Sequence, residues 1–231
     1  MSTTLPPRDA EWLEADGSGG FASGTVSGVR TRRYHGLLVP ATMPPAGRTV
    51  LVNGFEAWVE LSGATFAISS QRYNPDVFYP NGVDRLSSCR LEPWPIWTFD
   101  LSDGFAIEQE FFAVHGSQTV ALSWRLAGDS SVPAKLRIRP LLSGRDFHST
   151  HHENSSFQFA AIQKPERVIW HPYQDLPSIE ARSNGTYHLH EAGLNHISEI
   201  ADAESPHTPR GCPFQAWSMG EYLRLLSTLS Q

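Results

Sequence analysis

Apolar and polar residues alternate with period two through the middle of the chain. Val120, Leu122, Trp124 and Leu126 share one phase, and Ala121, Ser123 and Arg125 take the other. Leu136 and Ile138 alternate with Lys135, Arg137 and Arg139, while Phe105, Ile107 and Phe111 run opposite in phase to Glu108 and Glu110. Successive side chains of a strand point to opposite faces, so this pattern predicts half-buried antiparallel strands. Turn residues punctuate the runs at Asn53–Gly54, Ser102–Asp103–Gly104 and Gly128–Asp129, where Gly supplies the positive φ that tight hairpins need. Pro occurs 17 times and interrupts most candidate helices. The expected class is all-β, an antiparallel β-sandwich.

The pattern changes near the end. Phe214, Trp217, Tyr222, Leu225, Leu226 and Leu229 recur at three- and four-residue spacings, which predicts one C-terminal amphipathic helix over 214–229. Pro213 suits its first turn. Strand alternation fades somewhere between Asn184 and Ser198, where the β-rich body is expected to give way to a tail.

Composition narrows the function classes. The 231 residues are 40% hydrophobic, enough to build a core rather than a disordered chain. A net charge of -6 argues against a nucleic-acid partner, which needs clustered Lys and Arg. No apolar run is long enough to span a bilayer, so no membrane association is expected. The first residues, Met1 to Asp9, lack the basic and apolar regions of a signal peptide, and the expected location is cytoplasmic. Cys89 and Cys212 are the two cysteines, and without a Cys-x-x-Cys pair no structural zinc site of that type is expected.

Four segments carry candidate chemistry. Gly17-Ser18-Gly19-Gly20-Phe21-Ala22 satisfies G-x-G-x-x-A, but no helix is readable after it, so a tight glycine-rich turn is expected rather than a dinucleotide site. Arg30 to Gly36 packs three arginines, Tyr34 and His35 just before the apolar run Leu37-Leu38-Val39. Such a cluster can bind sugar hydroxyls, hold a carboxylate through a guanidinium fork, or form ordinary ion pairs on a solvated loop. His148 to Asn154 combines three histidines with Glu153. It reads as a polar loop, a sugar-contact loop or, least in keeping with known ligand spacings, a metal site. Glu199 sits between Ser198 and Ile200 and is either a surface carboxylate or a general base.

These segments meet in one resemblance. Glu11-Trp12-Leu13, the run Asp16 to Gly28, and Thr31-Arg32-Arg33-Tyr34-His35-Gly36-Leu37-Leu38-Val39 closely resemble the opening of bacterial and archaeal glycogen debranching enzymes of the amylo-α-1,6-glucosidase type. Val50 to Glu56, Arg139 to His148, and His151-His152-Glu153-Asn154 continue it, as far as Tyr187. Gly193 to Ile200 resembles the stretch that carries that family's catalytic base. Pro206 to Cys212, Gln215-Ala216-Trp217-Ser218 and Glu221 resemble its closing helix.

The resemblance implies a supersandwich-like N-terminal domain over 1–187 joined to a short remnant of the catalytic barrel domain over 188–231, with most of the barrel missing. It implies Glu199 as candidate general base, and Arg32, Arg33, Tyr34, His35, Gln215 and Trp217 as candidate substrate-binding residues. No cofactor or metal is implied, and the expected partner is an α-glucan such as glycogen or a limit dextrin. Glycosidases act through two carboxyls across the scissile bond. With the general acid absent, the chain is expected to be inactive alone. The alternatives are a carbohydrate-binding or scaffold module, and a subunit that completes a separately encoded barrel.

Overall fold

The computed structural model describes residues 5–73, 77–152 and 155–188, together with the backbone at 200–201 and 209–210. The expected helix over 214–229, Glu199, Gln215, Trp217 and Cys212 lie outside the described residues. The chain divides into two compact units, residues 1–151 and 152–231.

Among the described residues, the first unit contains thirteen strands. Five form the path of a seven-stranded antiparallel sheet, in the order β1 (Glu11–Ala15), β2 (Phe21–Thr25), β3 (Gly36–Val39), β5 (Ala46–Leu61) and β13 (Ala134–Asp146). Two more, β4 (Ala41–Met43) and β6 (Ala64–Ala67), pair with β5 away from that path. A short ribbon of β7 (Ser70–Tyr73) and β8 (Val77–Asn81) follows, then a 3₁₀ turn at Gly82–Arg85, the only helical element among the described residues. A second sheet of four strands runs β12 (Val120–Ala127), β11 (Ala106–Ala113), β10 (Ile96–Asp100), β9 (Leu86–Arg90).

The core lies between these two sheets. Ala22, Ala57, Val59 and Leu61 of the larger sheet pack with Cys89, Trp97, Phe99, Ile107 and Phe111 of the smaller one. Full burial of each large side chain contributes about 1.5–3 kcal/mol. The alternation read from the sequence produces this face. Ile107 and Phe111 point inward from β11, while Glu108 and Glu110 point outward, 3.1 and 3.6 Å from the Arg125 guanidinium on β12. Leu136 packs against the core, but Ile138, on the same face of the edge strand β13, stays 44% exposed.

β5 organises the unit. It is 16 residues long and pairs with β3, β4, β6 and β13. The expected turn at Asn53–Gly54 is not one: both residues lie inside β5. Gly54 pairs with Leu141 and Val52 with Leu142, so Asn53 is the extra residue of a bulge. A bulge bends a strand without ending it, and Asn-Gly fits that as well as a hairpin. The turn that closes β5 is instead Ser62–Gly63, with φ of 51° and 81°. Asp103–Gly104, with φ of 53° and 79°, is a tight turn as expected, and positive φ at both central residues matches the strand twist of a type I′ hairpin.

The glycine-rich segment joins β1 to β2 as a tight turn. Asp16 is buried, and its Oδ1 accepts hydrogen bonds from Ser18 N (2.6 Å) and Gly20 N (3.0 Å). That closes the loop on itself between two antiparallel strands, the reverse of a phosphate cradle.

The second unit contains an antiparallel sheet of β14 (Ala161–Lys164), β15 (Arg167–Trp170) and β16 (Ile179–Arg182), with Val168 and Ile179 buried. Two further short strands, β17 (Ile200–Ala201) and β18 (Pro209–Arg210), pair with each other.

Candidate functional site

The arginine-rich segment is the loop between β2 and β3, and the structure splits it between two jobs. Arg32 and His35 turn toward Glu11 on β1. Arg32 Nε is ion-paired with Glu11 Oε1, and His35 Nε2 lies 3.2 Å from the same oxygen. His35 is 3% exposed, and its Nδ1 accepts a hydrogen bond from Thr31 N at 3.2 Å. That bond fixes the tautomer: Nδ1 keeps its lone pair, and Nε2–H donates to Glu11. Burial pushes the imidazole below its ordinary value, and this outweighs the pull of Glu11 in the other direction. The hydrogen bond from Arg32 holds the Glu11 carboxyl below the usual carboxylate range. His35 and Arg32 therefore anchor the loop.

Arg33 and Tyr34 turn the other way, toward the loop that leaves β13. Tyr34 packs on Phe147 with ring centroids 5.5 Å apart, and its hydroxyl is 3.3 Å from His148 Nδ1. Phe147 and His148 lie 3.9 Å apart, and Phe21 meets Phe147 edge-on at 6.4 Å. Two guanidiniums flank the rings: Arg33 at 5.2 Å from the Tyr34 centroid, and Arg48 at 5.5 Å from that of Phe147. Arg33 and His148 are exposed, and Tyr34 and Phe147 are partly so. The result is a ledge of three rings with cations at its borders. Edge-on and tilted aromatic packing and cation–π contact each contribute about 0.5–1.5 kcal/mol.

Hydrogen bonds to backbone groups hold the two loops in register. Arg145 donates to the carbonyls of Arg33 and, at 3.0 Å, Ser149, so one guanidinium clamps both loops. Asp146 Oδ1 accepts from His148 N at 2.8 Å, and Phe147 N donates to Arg48 O at 3.2 Å. Arg48 Nε donates in turn to Gly19 O at 2.6 Å.

Arg32, Arg33, Tyr34 and His35 thus share one loop but not one environment. Glu199, Gln215 and Trp217 lie outside the described residues, as does Glu153 of the histidine-rich segment. His148 is turned to Tyr34, and among the described residues no three His, Cys, Asp or Glu side chains converge to hold a metal ion. Cys89 is a buried free thiol pushed up to about 11 by burial, which removes it from nucleophilic chemistry at neutral pH. Among the described residues no helix is long and apolar enough to cross a membrane.

Sequence reasoning missed Glu11, Phe21, Arg48 and Arg145 as members of the site. Glu11, Phe21 and Arg145 lie in segments that carry the resemblance, but nothing in the sequence pairs them with the arginine-rich loop, and Arg48 joins only through contacts distant in sequence.

No curated protein and no solved structure matches the chain. One family model does, that of the glycogen debranching enzyme N-terminal domain, and it matches residues 10–210. The match spans both loops of the ledge, the turn closed by Asp16 and every strand of the first unit, and on that extent the chain belongs to the glycogen debranching enzyme N-terminal family.

Proposed function

We propose that this chain docks α-glucan, such as glycogen or a limit dextrin, for its breakdown, with the Tyr34–Phe147–His148 ledge carrying glucosyl units. The observation that supports this reading is the ledge itself. A pyranose presents C–H groups on its faces and hydroxyls around its rim. The partly exposed rings accept the faces, and Arg33, His148 and the Tyr34 hydroxyl supply partners for the rim. Membership of the family supplies the α-glucan context.

The same reading makes the chain a member of the α-1,6-glucosidase group that is inactive alone. Hydrolysis needs an acid and a base on opposite sides of the bond. The carboxyls near the ledge are spent on structure: Glu11 is held by Arg32 and His35, and Asp146 caps the His148 loop. Glu199 is the proposed general base, with Gln215 and Trp217 as further sugar contacts. Residues 1–187 form the docking domain and 188–231 the barrel remnant, in the cytoplasm. The test is glycogen co-sedimentation beside glucose release from a limit dextrin. Binding that is lost in Tyr34→Ala, with no glucose released, is expected. Robust release that vanishes in Glu199→Gln would overturn the inactive reading.

A further inference from the structure

The space between the two sheets of the first unit is not filled at one end. A cleft there has about 80 Å³ open to the centres of water-sized molecules, several times the roughly 10–15 Å³ that one water needs. Its walls combine aromatic rings with polar side chains. Trp12, Phe55, Trp97, Phe99 and Phe111 supply the rings.

Most of the polar groups are satisfied by their neighbours. Ser69 Oγ accepts from Ala57 N at 2.8 Å, Ser70 Oγ from Val83 N at 2.9 Å, and Gln109 Oε1 from Trp124 Nε1 at 3.0 Å. Trp97 Nε1 donates to Val26 O at 2.9 Å.

Two groups are not. Gln71 is 3% exposed, and its Nε2 donates to Phe55 O at 3.0 Å, which fixes the amide orientation. Its Oε1 is buried and accepts no hydrogen bond from any described residue. An unpaired buried acceptor costs about 1–3 kcal/mol. The second group is the Arg30 guanidinium, which also lines the cleft. Among the described residues no carboxylate lies within ion-pair distance of it, and burial pushes it below its ordinary value.

We propose that this cleft is a second binding site, internal to the sandwich, for a small polyhydroxylated molecule or one glucosyl hydroxyl edge. The chemistry of the two open groups selects the class. Gln71 Oε1 requires a donor, and Arg30 offers donors to an acceptor. A hydroxyl is both, whereas a fully ionised phosphate or carboxylate would set oxygen against Gln71 Oε1. The five rings provide apolar surface for the C–H faces of such a molecule. The site is distinct from the outer ledge, since no residue of Tyr34, Phe147 or His148 lines it. The ligand class follows from the cleft alone; the choice of glucose as probe rests on the proposed α-glucan reading.

Glucose titrated into the full chain tests this by nuclear magnetic resonance of the Gln71 side-chain amide and the Trp12 and Trp97 indoles. Saturable shifts are expected, with affinity weakened roughly tenfold in Gln71→Leu and in Arg30→Met. If Gln71→Leu fails to fold, Arg30→Met reads the same loss. No saturable shift, meaning that the cleft holds only water, overturns the proposal. Shifts that persist unchanged in both variants overturn it too. Glycogen co-sedimentation through the ledge is unaffected by Gln71→Leu, so failure of the cleft and failure of the docking reading are seen separately.

Discussion

His35 Nε2 donates to Glu11 Oε1 across 3.2 Å from inside the protein, while Glu11 itself remains 42% exposed. A buried neutral imidazole thus ties the β2–β3 loop to β1, and the tie depends on protonation. His35 is held below its ordinary value of 6.5 in the fold, so the unfolded chain binds the proton first. Stability from this group is complete above about pH 6.5 and falls as pH drops below it. Glu11, also lowered, loses its contribution at lower pH, below its ordinary 4.5. Melting temperature should therefore decline between about pH 7 and about pH 5, and decline less in His35→Gln. Equal slopes in the two proteins would mean that His35 does not titrate between folded and unfolded states.

Glu56 is 1% exposed and is met by Arg139 and by the Tyr73 hydroxyl at 3.2 Å. Arg139→Met should cost about 3–5 kcal/mol, because it leaves a buried carboxylate without its cation. Pairing it with Glu56→Gln should recover most of that loss. Urea unfolding of the two single variants and the double one gives the coupling. Additive losses would show that the pair is not coupled.

Phe111 is 1% exposed and its ring lies 5.0 Å from that of Trp12. Phe111→Ala should destabilise the first unit by about 3–5 kcal/mol through lost burial and the cavity left behind. A loss under about 1 kcal/mol in denaturant unfolding would mean that the two sheets close over the gap.

The Arg33 side chain is exposed, and the clamp from Arg145 grips its backbone carbonyl, not its guanidinium. Arg33→Glu should leave stability within about 0.5 kcal/mol of the original and still weaken glycogen co-sedimentation. Arg145→Ala should weaken it as well, by releasing both loops. A collapse of folding in Arg33→Glu would make the cluster structural.

The strands were legible because a sandwich writes its inward face into every second residue. β11 shows both the strength and the limit of that rule. Ile107 and Phe111 were readable as core, but Gln109 shares their phase and is buried too, its amide oxygen capped by Trp124. A polar residue at an inward position looks like surface until its partner is known. Asn53–Gly54 misled for a related reason, since bulges and hairpins draw on the same residues. The density of Arg32 to His35 was visible, but its division was not. His35 faces a strand 24 residues earlier, and Tyr34 faces His148, 114 residues later. Periodicity is local, and it carries no information about such pairings.

The length of β5 has a consequence for synthesis. Its pairing with β13 joins Leu61 to Ala134 at one end and Thr49 to Asp146 at the other. At about 5–20 residues per second, a ribosome takes on the order of 5–20 s to travel from Thr49 to Asp146. Throughout that interval β5 presents an open edge to any other nascent chain. Arg137 and Arg139 arrive on β13 to meet Glu60 and Glu56 of β5, so the strand that closes the edge brings a charge pattern that admits it in one register.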